Sequence, residues 1–218
     1  NIYLGDPINI CNILSDQGCQ ELILCFVKSA PSPQFVYDVL SVCRSPVSIG
    51  GFGETNQDFF DVISNGAEKL ILSDSLWNKS DKSKLLSDRF GSQAVAASID
   101  YIEYDNKRFI VTGKSRNKRV GLLEDFLPKI NLSNFGEIIL NNITRDGACV
   151  GLDYNVLKIV TKYVNNLPVI LSGGSNNDDI NQVSKLPDGF ISGTYFSLNG
   201  IKKAPLVYYS NKFSMNNK

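Results

Sequence analysis

The sequence contains no histidine among its 218 residues. Histidine is the commonest general base and the commonest transition-metal ligand in proteins. Any proton transfer by this chain must therefore use carboxylates, lysine, tyrosine or cysteine, and we predict neither a metal site nor a cofactor.

Cysteine is sparse and shows no metal-binding or disulfide pattern. The five cysteines are an odd number, none has C-x-x-C spacing, and several lie inside apolar runs. We therefore expect buried free thiols rather than disulfides, and no zinc or redox chemistry.

The chain also lacks a charge surplus and a long apolar run. Its 22 basic and 22 acidic residues cancel, so no global field favours nucleic acid or an anionic membrane surface. No apolar run approaches the roughly 18 residues that span a bilayer, and the first residues lack a signal-peptide pattern. We predict a cytoplasmic protein without nucleic-acid or membrane partners.

Seven short apolar runs alternate with amphipathic segments such as Phe35–Val42 and Tyr154–Val164. Strands that are apolar on both faces are typical of a parallel sheet covered by helices, so the fold class is α/β. An extra hairpin, Arg108–Val111 into Lys118–Leu122, follows the fourth run. The predicted strands are Leu22–Val27, Val47–Ile49, Lys69–Leu72, Ala94–Ile99, Glu137–Leu140, Val169–Leu171 and Gly189–Ile191.

The sequence repeats internally at an offset of roughly 120 residues. Glu21–Leu24 recurs as Glu137–Leu140, and Pro46–Gly51 recurs as Pro168–Gly174. The repeat predicts a single (β/α)8 TIM-barrel domain over residues 1–218, built of two half-barrels. Because the first helix, about Pro7–Asp16, has no strand before it, we expect strand one to be absent from this chain. An open doubly wound sheet explains seven strands without loss but does not explain the repeat.

In such barrels the chemistry lies on the loops that follow the strands' carboxyl ends. Ser172, Gly173 and Gly174 follow the seventh barrel strand, and Gly193 and Thr194 follow the eighth. Glycines allow a phosphate to approach backbone N–H groups, so these loops together predict an anion site. Tight turn geometry is the alternative explanation for each glycine pair.

The related positions of the other half predict a degraded phosphate site. Gly50 and Gly51 are followed by Phe52, which interrupts the glycine run, and Asp74 after Ser73 stands where the other half has a threonine. A carboxylate at that position would repel phosphate.

Two aspartates, Asp100 and Asp146, end the fifth and sixth barrel strands at the same mouth. Without histidine they are the best candidates for general acid and base, although solvated or capping roles are the alternative. Lys28 and Arg145 either offer charge to an anionic ligand or are solvated loop ends.

Charged residues also stand at the opposite, amino-terminal ends of three strands. Glu21, Lys69 and Glu137 begin the second, fourth and sixth barrel strands, so all three can point into the bore. They form either a charged ring that closes a passage or a stabilising cluster.

Several segments combine into a family pattern: Gly91–Asp100, Gly136–Leu140, Arg145–Gly147, Gly151–Asp153 and the Ser-Gly-Gly element. Together they closely resemble the cyclase subunit of imidazole glycerol phosphate synthase, over nearly the whole chain. The resemblance implies a (β/α)8 barrel that receives ammonia from a glutaminase subunit docked on its amino-terminal face. Two aspartates would then join the ammonia to a bisphosphorylated ribulosyl aminoimidazole, in a lyase reaction of histidine biosynthesis.

The resemblance implies a role for individual residues. Asp100 corresponds to one catalytic aspartate, and Glu68 to an acid that contacts the glutaminase. The phosphate site corresponds to Asp146, Gly147, Gly174, Gly193 and Thr194, and the ammonia gate to Glu21, Lys69 and Glu137.

The departures from the family affect half of the substrate site. The second catalytic aspartate and the fourth gate residue belong to the absent strand, and Phe52, Ser73 and Asp74 replace Gly, Asn and Thr. The pattern resembles a divergent branch that works with a glutaminase and an amidotransferase on acetamidino sugars of surface polysaccharide. Orthodox cyclase activity is the alternative, and a sugar-phosphate isomerase on a similar barrel leaves the charged ring unexplained.

Overall fold

The computed structural model describes residues 3–26, 31–51, 56–77, 81–113, 118–164, 166–181, 188–199 and 204–205. These residues fall into two compact units. The first unit comprises residues up to Leu70 together with those from Gly193 onward, and the second comprises Ile71–Ser192. Among the described residues, no helix is both long and apolar enough to cross a membrane.

The first unit alternates helices and parallel strands. Its elements are α1 (Pro7–Asp16), β1 (Leu22–Cys25), α2 (Pro33–Val42), β2 (Val47–Gly50), α3 (Asn56–Ser64) and the start of β3 (Lys69–Leu72). β1 pairs with β2 in parallel, and α2 packs against both α1 and α3. The helix starts follow from local chemistry, because Pro7 and Pro33 occupy the first turns and the side chains of Asp6 and Ser32 accept backbone N–H bonds as N-caps.

The second unit contains the remaining large strands. Its elements are α4 (Lys82–Phe90), β4 (Val95–Tyr104), β5 (Lys107–Thr112), β6 (Lys118–Leu122), α5 (Leu123–Phe126), β7 (Glu137–Asn142), α6 (Leu157–Val160), β8 (Val169–Ser172), α7 (Asn177–Asn181) and β9 (Gly189–Ile191). β4, β7, β8 and β9 lie side by side and parallel. The short α8 (Thr194–Ser197), β10 (Leu198–Asn199) and β11 (Ala204–Pro205) follow and belong to the first unit.

The internal repeat predicted from the sequence recurs in the backbone of each unit. The N–H of Leu22 donates to the carbonyl of Pro46 at 2.9 Å, and the N–H of Ile138 donates to Pro168 at 2.9 Å. The strand pairings Leu22 with Val47 and Ile138 with Val169 then follow in the same register. The α/β fold of the (β/α)8-barrel class is therefore confirmed, with the same strand pairing in both halves of the repeat.

Two segments differ from the sequence prediction. The segment predicted as one helix, Tyr154–Val164, is a 3₁₀ turn over Tyr154–Val156 followed by the short α6. β4 is ten residues long, because it continues past Asp100 and pairs antiparallel with β5. The turn between them is Asp105-Asn106, with φ of 50° and 56°. Asp and Asn tolerate this left-handed conformation, so a two-residue hairpin turn was readable from the sequence.

Candidate functional site

Three polar side chains form a row at the carboxyl ends of parallel strands in the second unit. Asp100 on β4 is paired in register with Asn141 on β7, which is paired with Ser172 on β8. Asn141 Nδ2 donates to Asp100 Oδ1 at 2.9 Å. Asp100 is only 9% exposed, so its carboxylate occupies the partly desolvated position that suits a general acid or base.

The face of the sheet that bears this row is more accessible than the opposite face. Toward the amino ends of the strands the same face presents Ser98, Ile170 and Glu137, which are all partly exposed. The opposite face is almost fully buried and presents Ala97, Ile99, Ile138, Leu140 and Leu171. One face of β4, β7 and β8 therefore leads from the Glu137 carboxylate to the polar row.

Asp146 and Gly147 lie on the loop that follows β7, outside the row. Asp146 is exposed, so the structure does not pair it with Asp100 as a second buried carboxylate. Gly147, Cys149 and Gly151 have φ of 73°, 55° and 100°. In this segment, the β7 loop (residues 143–153), the repeated left-handed residues turn the backbone back toward the strand ends.

Gly173 and Gly174 are required by packing as well as by backbone conformation. Both have φ of 91°. A Cβ on Gly173 would collide with the carbonyl of Asn142, and one on Gly174 would lie 2.7 Å from Arg145 Cβ and 2.9 Å from the carbonyl of Gly151. The Gly151 N–H donates to the Gly174 carbonyl at 2.7 Å. The tight-turn explanation therefore accounts for this glycine pair, whether or not the loops also bind an anion.

Asp179 connects the β7 loop to the segment after β8, a role that the sequence analysis missed. Its carboxylate is 2% exposed and accepts from the N–H of Leu152 at 3.2 Å, the N–H of Asn176 at 2.8 Å and the hydroxyl of Tyr154 at 2.7 Å. Burial, followed by the hydrogen bond to Asp179, raises the pKa of Tyr154 above its usual range. The polar run Asn176–Asp179 leads into α7, but sequence spacing gave no sign of the partners of Asp179.

A second missed feature is an ion-pair network on the hairpin side of the β7 loop. It consists of Tyr101, Glu103, Arg108, Arg145 and Asp153. Arg145 donates to both carboxylate oxygens of Glu103, at 2.9 and 3.2 Å. Arg108 donates to both oxygens of Asp153, at 2.6 and 2.7 Å. Because Glu103 pairs with its guanidinium, Arg145 is not a solvated loop end, and its role as a charge donor to an anionic ligand stays a prediction.

The network is partly buried, and burial and pairing shift the pKa values of Asp153 and Tyr101. Burial alone would raise the pKa of Asp153, but the hydrogen bonds and charge of Arg108 outweigh it and hold that pKa below its ordinary value. Burial, together with the nearby Asp153 charge, raises the pKa of Tyr101, whose hydroxyl donates to Asp153 at 3.1 Å. Tyr101 is therefore a neutral donor at physiological pH.

The structure describes Gly50, Gly51, Ser73 and Asp74 of the predicted degraded phosphate site. Gly51 has φ of 77°, and a Cβ there would collide with the carbonyl of Phe26, as a Cβ on Gly173 would with Asn142. Gly50 accepts from the Phe26 N–H at 2.9 Å. In the second unit Asp74, next to Ser73, is exposed and accepts from the Gly113 N–H at 3.0 Å. Phe52 and Lys28 lie outside the described residues.

The charged residues of the first unit form a compact cluster. Glu21 accepts from Lys69 Nζ at 3.0 Å and from the Ser48 hydroxyl. The side chains of Lys69 and Glu21 are 17% and 30% exposed. Glu68 is exposed beside them, and its N–H donates to the Val47 carbonyl.

Gly193 and Thr194 lie at the start of α8 in the first unit. Gly193 has an ordinary φ of −94°. Among the described residues, no atom lies within 4 Å of a Cβ built on it. Unlike Gly173 and Gly174, this glycine has no packing reason within the described chain.

Residues 1–201 match the family model described as histidine biosynthesis protein. Similar relatives include the putative imidazole glycerol phosphate synthase subunit HisF of Leptospira borgpetersenii, 28% identical over 96% of this chain and 86% of that protein. The imidazole glycerol phosphate synthase subunits HisF of Sulfolobus acidocaldarius and Alkaliphilus metalliredigens are 26% and 29% identical, over 95% and 87% of this chain and 86% and 75% of theirs. The chain belongs to the histidine biosynthesis protein family.

Proposed function

We propose that this protein is the synthase subunit of a glutamine amidotransferase, which receives ammonia from a glutaminase partner and adds it to an anionic substrate. The observation that carries this proposal is the sheet face between Glu137 and the row of Asp100, Asn141 and Ser172, where Ser98 and Ile170 are partly exposed and Ile139 is buried. Asn141 lies four positions after Glu137 on the strand, or about 13 Å away. Ammonia is small and uncharged in its reactive form, so a face of small and apolar side chains suits its passage.

The cluster of Glu21, Ser48 and Lys69 supports the same proposal. Two opposite charges held at 3.0 Å and largely removed from solvent contribute little net stability, because desolvation offsets their attraction. A role beyond stability is therefore reasonable. We assign to this cluster, with Glu68, a role in receiving the glutaminase and its ammonia, and we propose the same role separately for Glu137 in the second unit.

Asp100 is assigned the proton transfers of the reaction. It is the buried carboxylate of the polar row, and the Asn141 amide donates to it, which fixes its orientation. A phosphate-binding role is assigned to Asp146, Gly147 and Ser172–Gly174 in the second unit, and separately to Gly193 and Thr194 in the first unit. The unexplained glycine at 193 supports close approach of a ligand to the backbone there.

Asp100→Asn is expected to reduce turnover about 10³-fold, because one proton-transfer group contributes on the order of 10²–10⁴ in rate. The loss should be equal with glutamine and with ammonium salts, since both deliver the same nucleophile. Ammonia incorporation is the assay, with the bisphosphorylated ribulosyl aminoimidazole and a nucleotide-linked sugar as the two acceptors tried. Asp88→Asn, in an exposed pair with Lys84, should leave turnover unchanged; a fully active Asp100→Asn protein would exclude Asp100 as the acid or base.

Lys69→Met is expected to lower glutamine-dependent turnover about five- to ten-fold while ammonium-dependent turnover stays unchanged. The substitution removes the partner of Glu21 at the proposed entrance but does not touch the polar row. Lys84→Met, which breaks an exposed pair, is the matched control. Equal loss with both nitrogen sources would place Lys69 outside the ammonia route, and failure to bind any glutaminase of its gene neighbourhood would contradict the amidotransferase proposal.

The finer assignment is to the divergent branch that serves acetamidino sugars of surface polysaccharide. The exposed Asp74 carboxylate, held by the Gly113 N–H, supports it, because a negative charge at the second phosphate position disfavours a bisphosphorylated substrate. The alternative is the imidazole glycerol phosphate synthase cyclase of histidine biosynthesis, which the names of the similar relatives favour. Efficient cyclisation of the bisphosphorylated substrate would decide for the cyclase.

A further inference from the structure

The hairpin β5–β6 and the extension of β4 contact several strand-end loops of the second unit. Glu103 N–H donates to Thr144 Oγ1 at 2.8 Å, at the start of the β7 loop. Glu103 and Arg108 also form ion pairs with Arg145 and Asp153, respectively, and with each other at 3.7 Å. The hairpin is thus connected to the β7 loop by both backbone and side-chain bonds.

We infer that Glu103 and Arg108 are positioning residues, which hold the β7 loop, and through it the loop after β8, in the arrangement that receives an anionic ligand. This inference rests on the proposed anionic substrate. It adds the hairpin, which the family motifs do not include, to the groups that determine ligand affinity.

Arg145 connects the Glu103 carboxylate to the backbone of the β7 loop. Arg145 Nη1 donates to the carbonyls of Gly151 and Leu152, each at 3.2 Å, while its other nitrogens bind Glu103. The planar guanidinium fixes both partners at once. The orientation of Arg145, and therefore of the loop carbonyls, depends on the Glu103 carboxylate.

The far end of the β7 loop is anchored by the pair of Arg108 and Asp153. The Arg108 and Asp153 side chains are 12% and 1% exposed, and the pair is bidentate, which restricts both distance and angle. Asp153 Oδ1 also accepts from the Asn155 N–H at 3.1 Å, at the start of the 3₁₀ turn. The hairpin therefore holds the β7 loop at Arg145 and again at Asp153.

The β7 loop is in turn connected to the loop after β8. Gly151 donates to the Gly174 carbonyl at 2.7 Å, and Arg145 Cβ lies where a side chain on Gly174 would be. A shift of Arg145 or Gly151 must therefore displace Gly174. Backbone N–H groups at Gly147 and Gly174 can receive an anion together only while these contacts hold.

A purely stabilising role is a weaker explanation of the network. Buried ion pairs add little net stability, because desolvation of the charges offsets their attraction, and apolar residues of similar size often serve as well. Bidentate ion pairs of arginine do, however, fix the geometry of the groups they join. At the Arg145–Glu103 pair, whose side chains are 28% and 26% exposed, the cost of losing the carboxylate should thus be larger for ligand affinity than for folding.

The test is Glu103→Gln in the full chain, with inorganic phosphate as the probe and the amide resonances of Gly147, Gly151 and Gly174 as the reporters. The dissociation constant for phosphate should rise about ten-fold. Hydrogen exchange of the Gly151 and Leu152 amides should accelerate in the ligand-free protein, while the unfolding midpoint in urea stays close to that of the wild type. Asp88→Asn, an exposed ion-pair variant, should change none of these quantities.

Unchanged phosphate affinity in the Glu103→Gln protein, or an affinity loss matched by an equal loss of global stability, would overturn the inference. If the wild-type protein bound no phosphate, the proposed anion site itself would be wrong. Hydrogen exchange in the ligand-free proteins would still test the positioning role. Unchanged protection of the Gly151 and Leu152 amides in the Glu103→Gln protein would overturn that role, and faster exchange would support it.

Discussion

Asp153→Asn is expected to lower the free energy of unfolding by about 3 kcal/mol, because it removes the bidentate carboxylate partner of the buried Arg108 guanidinium and leaves it only the Glu103 carboxylate at 3.7 Å. Arg108 is 12% exposed and Asp153 is 1% exposed, so solvent cannot replace the lost carboxylate. The midpoint temperature of a protein of this size should fall by about 10 °C. Urea unfolding followed by circular dichroism gives the free energy directly.

The matched control for this substitution is Asp88→Asn. It removes the same functional group from an ion pair with Lys84 whose side chains are 65% and 62% exposed. Exposed pairs contribute from nothing to about 1 kcal/mol, so the control should unfold close to the wild type. A loss below about 1 kcal/mol for Asp153→Asn would mean that water or a rearranged Glu103 satisfies Arg108.

Acid unfolding provides a second readout of the same substitution. The pKa of Asp153 is lowered in the folded protein, mainly by Arg108 acting against burial. Its contribution to stability is therefore complete above its unfolded pKa of about 3.9 and is lost as the pH falls toward the folded pKa. The wild type should lose this contribution below about pH 4, whereas the Asp153→Asn protein has none to lose and should show a shallower decline.

The strand pattern and the repeat were predictable from sequence because each depends on local periodicity. Strands β3 (Lys69–Leu72) and β9 (Gly189–Ile191) have the predicted bounds. Leu22 pairs with Val47 and Ile138 pairs with Val169 in the same register. This equivalence follows from the repeat, because both valines follow a proline in the repeated segments. Periodicity shows which residues face a core, and duplication shows that two segments share one conformation.

The ion-pair network was not predictable, because its partners are distant along the chain and lie on elements of different kinds. Glu103 and Arg145 are 42 residues apart, and Arg108 and Asp153 are 45 apart. Each residue by itself is typical of a solvated hairpin or loop. Only the length of β4, which extends past Asp100, brings Glu103 to Thr144 and Arg145, and that length depended on a turn at Asp105-Asn106 that the sequence analysis missed.

The candidate site was predicted in part. Asp100 was predicted from its place after an apolar strand, and its position in a polar row follows from strand register. Asn141 and Ser172, its neighbours in the row, were not predicted, because they are identified only by the strand register that the structure shows. The glycines of the anion loops stay a prediction, since Gly173 and Gly174 are also explained by packing.

Gly174→Ala is expected to separate these two explanations with a large effect. The backbone there has φ of 91°, which costs an L-residue about 1–2 kcal/mol. The new Cβ would also lie 2.7 Å from Arg145 Cβ and 2.9 Å from the Gly151 carbonyl, and such overpacking costs about 1–3 kcal/mol. The free energy of unfolding should therefore fall by about 3 kcal/mol, and phosphate affinity should fall with it because the β7 loop is pushed away.

Gly91→Ala is the control that also places a side chain at positive φ but without the collision. Gly91 ends α4 with φ of 86° and ψ of 152°, and among the described residues no atom lies within 4 Å of a Cβ built there. This backbone conformation is essentially restricted to glycine, so the loss of stability should be about 1–3 kcal/mol, without a change in phosphate affinity. The difference between the two alanine variants measures the contact of Gly174 with the β7 loop. Equal losses of stability in both variants would show that the β7 loop moves aside at little cost. The contacts of Gly174 with Gly151 and Arg145 would then be too weak to position a ligand.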